Sequence, residues 1–180
     1  SSVGVSTNGM LSFTTASAEH NNTSLPNSTI PNTIFAFWDD LIQRGGVCAA
    51  TFGTAPNRQY VVQWDDNFFY PATDPSTSST HLSFQVVLTE GTNTIDVLYN
   101  RLVGMGDRAT GSSATIGLQS GSASWIDQVG YNTAGVLGPG SSIRWTPSTG
   151  TTSCTQGVYR RVFEGACSGT YDGFAPVWGQ

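Results

Sequence analysis

The chain has 180 residues and a mass of 19.0 kDa, enough for one domain with its own core and some extension. Charged residues make up only 11%, all seven basic residues are arginine and the net charge is -5, which leaves no basic footprint for nucleic acid or an anionic membrane. No apolar run approaches the roughly 20 residues of a membrane helix, and three cysteines in a lysine-free chain fit an oxidising, extracellular setting.

Residues 2–13 place Asn8-Gly9 between two short apolar runs, a signal for a tight hairpin. The start at Ser1, with no charged leader, is what a processed soluble product is expected to have. Residues 14–32 are polar, carry Pro26 and Pro31 and show no period, so they read as a long surface loop. That loop holds three N-x-Ser/Thr sequons, at Asn21, Asn22 and Asn27, candidates for glycosylation of a secreted product. Residues 33–41, Thr-Ile-Phe-Ala-Phe-Trp-Asp-Asp-Leu, are too densely apolar for a strand with one wet face. They read as a strand covered on both sides, ended by Asp39 and Asp40, whose carboxylates need a cation such as Arg44 or Arg58.

Residues 46–52 and 58–65 are further strand candidates around a turn at 54–57, with Tyr60, Val62 and Trp64 on one face. Residues 68–80, with Pro71 and Pro75, read as another loop. The clearest hairpin joins 82–90 to 93–100 through Gly91-Thr92, and 113–119, 125–130 and 142–145 follow as strands between Gly-rich turns. Short strands at such spacing predict an all-β antiparallel sandwich over residues 1–145, jelly-roll-like and almost without helix. Residues 146–153 read as a linker. Residues 154–180 form an extension with two strand-like apolar runs.

Cys154 and Cys167 enclose 12 residues around the first of these runs, and a bond between them would contribute roughly 3 kcal/mol in the chain-entropy model. Cys48, in Val-Cys-Ala-Ala, is then left over as a buried small hydrophobe or a thiol that pairs between chains. Catalytic chemistry has little to rest on. His20 and His81 lie in no metal-ligand spacing, and no nucleophile elbow, phosphate loop or C-x-x-C occurs. Asp39, Asp40, Asp65, Asp66 and Glu90 offer carboxylates in pairs, but strand-end acids are commonly caps and turn formers. Asp39 and Asp40 are the candidate ligands for calcium, without an EF-hand spacing. Phe68, Tyr70 and Trp125 are candidates for a glycan-stacking platform.

Five motifs occur in one order: V-x-V-S-T-N-G-x-L-S-F, F-W-D-D-L, A-P-N-R-x-Y-V-V-Q-W, F-Q-V-V-L-T-E-G-x-N-x-I-x-V-x-Y and S-A-T-I-G-L-Q. The chain resembles a β-rich domain of bacterial secreted and surface proteins and, more distantly, the nidogen-type extracellular domain. That resemblance implies an adhesive or structural β-sandwich with no catalytic residues to carry over. Such domains enter through a strand of the form G-F-x-x-x-[FYW]-G before the first hairpin. Here that form stands at residues 173–180, Gly-Phe-Ala-Pro-Val-Trp-Gly-Gln, so the chain reads as permuted. A sandwich without its entry strand exposes an edge that templates pairing with another chain. The expectation is a non-enzymatic, extracellular filament subunit that donates residues 171–180, with Phe174, Val177 and Trp178, to the next copy, in preference to folding them back into its own sheet. The alternative is a carbohydrate-binding or adhesive module.

Overall fold

Strands β1 (Gly4–Ser6) and β2 (Met10–Ser12) are joined by Thr7, Asn8 and Gly9. Gly9 has φ 76, the left-handed conformation that a three-residue hairpin loop requires, and a Cβ there would stand 2.1 Å from the Phe37 carbonyl oxygen. The close approach serves pairing: Ala36 and Phe37 both donate their N–H to Gly9 O, at 3.0 and 3.1 Å. Asn8 is buried beside it. Its Oδ1 accepts from Leu41 N at 3.1 Å, and its Nδ2 donates to Ala18 O and Glu19 O. One turn thus holds three parts of the chain.

The structure, a computed structural model, describes residues 2–72, 78–121 and 125–147, with the strand residues Arg161–Val162 and Val177–Trp178. The remaining sandwich strands are β3 (Thr33–Trp38), β4 (Leu41–Phe52), β5 (Gln59–Phe69), β6 (His81–Thr89), β7 (Ile95–Val103), β8 (Thr115–Gln119), β9 (Ile126–Tyr131) and β10 (Ser142–Trp145). A single 3-10 turn, Gly106–Thr110, is the helical element among the described residues. Two five-stranded antiparallel sheets form, in the orders β1-β2-β3-β8-β9 and β10-β7-β6-β5-β4. The protein is an all-β sandwich. Beyond it β11 (Arg161–Val162) and β12 (Val177–Trp178) pair with each other, in a separate two-stranded sheet.

All six residues of β3 are buried. Ile34, Ala36 and Phe37 enter the core between the sheets, whereas Phe35 and Trp38 join Met10 and Ile30 on the opposite side. The cover on that side is the segment 14–32, a strap rather than a free loop. Thr115 Oγ1 donates to Thr23 O, Gln119 Nε2 to Asn27 O and Ile30 O, and Trp38 Nε1 to Glu19 O.

Of the boundaries that differ from the sequence reading, two have a local cause. Leu41 opens β4 instead of ending β3, because Asp39 Oδ1 takes Asp40 N–H at 2.8 Å and turns the chain there. Residues 67–69 continue β5 instead of opening a loop. A bulge at Asp65–Asp66, with Asp66 at φ 47, shifts the alternation so that both Trp64 and Phe69 point into the core.

Three hydrogen bonds cross the core and fix which strand faces which. Trp64 Nε1 of β5 donates to Ser6 O of β1 at 2.8 Å, Tyr99 Oη of β7 to Ala36 O of β3 at 2.6 Å, and Trp145 Nε1 of β10 to Asp127 Oδ2 of β9 at 2.6 Å. Around them Trp64, Phe84 and Phe37 stack with ring centroids 5.2 and 5.8 Å apart. Burial pushes the Tyr99 phenol well above its ordinary pKa, so it stays a donor. Tyr99→Phe keeps the ring and strips the donor from a dry site, with an expected loss of about 1 to 2 kcal/mol in chemical denaturation.

Candidate functional site

The sheets do not cover each other fully. With β1 over β5, strand β4 extends beyond the edge of the opposite sheet. Ala49 pairs with Val62 and Thr51 with Tyr60, so both point to the same side as those core-facing partners, yet both are exposed. Val47, opposite Trp64, is only partly covered. Strands β1 and β4 are also the edges of their sheets, so the open inner face of β4 is bordered by two ladders unpaired on one side among the described residues.

At the far end of this opening lies a cavity of about 430 Å³. Its floor is one cross-strand row, Thr51, Tyr60, Leu88 and Ile95, and Phe13, 47% exposed, forms its wall. That volume falls within the roughly 300–1,000 Å³ of ordinary ligand sites. The rim carries a bidentate pair: Arg58 Nε and Nη2 donate to Glu90 at 2.8 and 2.7 Å. Those bonds, with one from Arg58 N–H, hold the Glu90 carboxyl down to about 2.

The other acids are also matched to arginine, though not to the ones the sequence suggested. Asp39 is paired with Arg108 at 2.9 Å and also accepts from Ser113, which corrects the expectation of Arg44 or Arg58 as its cation. Its oxygens are turned to protein donors, and among the described residues no three His, Cys, Asp or Glu groups gather as a metal site. Asp40 is half-buried, its carbonyl accepting from Tyr70 N–H. Arg44 and His81 both contact Asp66 Oδ1, at 3.0 and 2.6 Å, and Arg144 grips Asp96 at 2.6 and 2.9 Å. Partial burial works to raise the Asp66 carboxyl, but hydrogen bonds from His81 and Arg44 outweigh it and hold the group below its ordinary value. Asp65 accepts from Ser83, and His20 stays in the exposed strap beside Asn21.

The three candidate stacking residues differ in exposure. Phe68 is fully buried beneath the Arg44 guanidinium, 5.1 Å from the ring centre, and Trp125 is half-buried against the core. Tyr70 alone is well exposed, at 53%. The sequons separate in the same way: the Nδ2 of Asn22 donates to Asn132 and that of Asn27 to Thr23, while Asn21 is exposed. Cys48 is disulfide-bonded, correcting its reading as a leftover thiol. Cys154, Cys167, Phe174 and residues 148–153 of the expected linker lie outside the described residues. Val177 and Trp178 belong to β12, paired with β11 and with neither sheet of the sandwich. The role of Arg108 was hidden because it lies 69 residues from Asp39. The groove was hidden because overlap between sheets leaves no mark in either strand.

Among the described residues no helix is long and apolar enough to cross a membrane. A family model described as NIDO related matches residues 1–155. No curated protein and no solved structure matches the chain.

The Asp66 cluster has a directed pH dependence. Because the folded carboxyl is depressed, its contribution is present above the ordinary value of 3.8 and is lost as pH falls through the folded value. Asp66→Asn is expected to lower the melting temperature at pH 6, and that deficit should shrink steadily in scans below pH 3.8.

Proposed function

The chain belongs to the NIDO-related family, and on that footing we propose that it is an extracellular, non-enzymatic structural subunit that polymerises with copies of itself. Its C-terminal segment, residues 171–180, seats as a strand in the open inner face of β4 of the next copy. The observation that carries this reading is the exposure of Ala49 and Thr51 on an inward-pointing row between two sheet edges. Such an opening is bordered by the edge strands of both sheets and ends in an apolar cavity, the setting in which an added strand gains main-chain bonds and side-chain burial together.

In an extended donor, Phe174 and Trp178 stand four residues apart and share a face. Burying two such aromatics, roughly 150 to 250 Å² each at about 25 cal/mol per Å², contributes on the order of 7 to 12 kcal/mol before ordering costs. The exchange releases β12 from β11, a ladder of two residues on each side. Donor and acceptor lie on different surfaces, so the contact is heterologous and propagates as a filament unless rotation closes a ring. The non-enzymatic reading is supported by the use of Asp39, Asp66, Glu90 and Asp96, each of which holds an arginine. An extracellular setting is supported by the family and by the disulfide at Cys48.

Sedimentation and electron microscopy of the full chain test this directly. Concentration-dependent filaments are expected, blocked by a synthetic peptide of residues 171–180 and abolished by Ala49→Arg, which places a charge in the acceptor face. A chain that stays monomeric at every concentration, or a chain truncated at residue 170 that still polymerises, overturns the proposal.

A further inference from the structure

The outer face of a two-layer sandwich is ordinarily wet, and here both outer faces are dry, only one of them beneath the strap of residues 14–32. On the side of β10-β7-β6-β5-β4 turned away from the core, Gln63, Gln85 and Leu98 form one cross-strand row and Val61, Val87 and Asp96 the next. All six are between 1% and 8% exposed. Val61, Val87 and Leu98 make a cluster of their own, separate from the core, joined among the described residues by Phe52. Gln85 Nε2 donates to Gln63 Oε1 at 2.7 Å, a buried amide pair typical of a covered surface. No described element lies over these rows, in contrast to the opposite sheet with its strap.

What covers them is indicated at both edges of the sheet. At one edge Cys48 pairs with Gln63, so it points to this outer side, and it is disulfide-bonded. The sequence holds two other cysteines, Cys154 and Cys167, both in the C-terminal extension. Phe52, Gln63, Ser142 and Arg144, all on this face, each hold a further interaction besides those described above. At the opposite edge, β10 ends at Trp145 and delivers the chain to the extension. From β10 to β4 is four inter-strand steps, roughly 19 Å, and the nine residues from Trp145 to Cys154 span up to roughly 30 Å. The chain leaves from one edge and is long enough to reach the other.

We propose that the outer face of this sheet is the seat of the first part of the chain's own C-terminal extension, residues 154–170, which lies across it and is fastened to β4 by a disulfide from Cys48 to Cys154 or Cys167. A tether at Cys154 and Cys167 alone is replaced by one that joins extension to sandwich. The extension forms a third layer over Val61, Val87 and Leu98. Because the outer and inner faces of β4 lie back to back, this seat is separate from the groove occupied by residues 171–180 of a neighbour. A tether at Cys167 still leaves 13 residues free, on the order of 40 Å when extended.

The test uses the full wild-type chain. Alkylation without reduction should label one cysteine, and non-reducing peptide mapping should recover Cys48 joined to the peptide of Cys154 or Cys167. Hydroxyl-radical footprinting of the same material, each residue normalised to the denatured chain, should show loss of labelling at Phe52, Val87 and Leu98, while Tyr70 and Tyr131 label freely. A Cys154–Cys167 linkage overturns the proposal, as does labelling of Val87 and Leu98 as strong as that of Tyr131. Disulfide-linked dimers on a non-reducing gel would assign the seat to a second copy's extension and overturn the within-chain tether.

Discussion

A buried indole or phenol must find an acceptor, and three such groups set the geometry of this sandwich. Trp64, Tyr99 and Trp145 all rise from one sheet, and in a layer without water each has a carbonyl or carboxylate on the other sheet as its partner. The apolar contacts around them are non-directional and would tolerate a sideways shift of one sheet over the other. The three hydrogen bonds would not. They hold β1 over β5 and β9 over β10, and the overhang of β4 is the residue of that registration. The candidate groove is therefore a product of the core, and it exists because polar atoms inside the core leave no freedom to close it.

Charge is scarce in this chain and is concentrated where the strands are irregular. Asp39 with Arg108 holds the corner between β3 and β4, and Asp66 with Arg44 and His81 sits on the bulge of β5. Arg58 and Glu90 clasp the ends of β5 and β6 beside the cavity. At such places the ladder loses bonds, and bidentate or shared arginine contacts replace them. Guanidinium groups also close over aromatic rings, Arg44 over Phe68 and Arg108 over Phe69 at 4.1 Å. An arginine-only basic set suits that double use of one flat cation.

Regular alternation made much of the fold legible. The hairpin at Asn8-Gly9, the two-sided burial of residues 33–38 and the pairing of 82–90 with 93–100 all follow from period and turn chemistry, and the structure has them. Legibility failed where alternation changes phase or contact is long-range. Residues 67–69 look like loop because Asp66 reverses the inside-outside pattern just before them. The strap 14–32 looks like free loop because its bonds run through Thr115, Gln119 and Gln128, about a hundred residues later. Phe68 looked available for stacking because its cover, Arg44, comes from the neighbouring strand. The candidate groove was anticipated only through its proposed occupant: a motif standing at residues 173–180 pointed to a strand-shaped need, and the sheets' offset supplies its shape.

The bulges lie at one level in three strands: after Gln43 in β4, after Trp64 in β5 and between Tyr99 and Arg101 in β7. Each bulge is a counted residue, so the inner and outer rows on its two sides are out of step unless that count is kept. Loss of one codon at Asp66 would turn either Trp64 or Phe69 outward, while a codon lost from the turn at residues 91–93 would leave both rows in phase. Over evolutionary time, then, length changes in this sheet should accumulate at its hairpin turns and be purged from the line of bulges, although both places are short, irregular and polar. A comparison of insertion positions would distinguish the two kinds of irregularity where residue conservation alone would treat them alike.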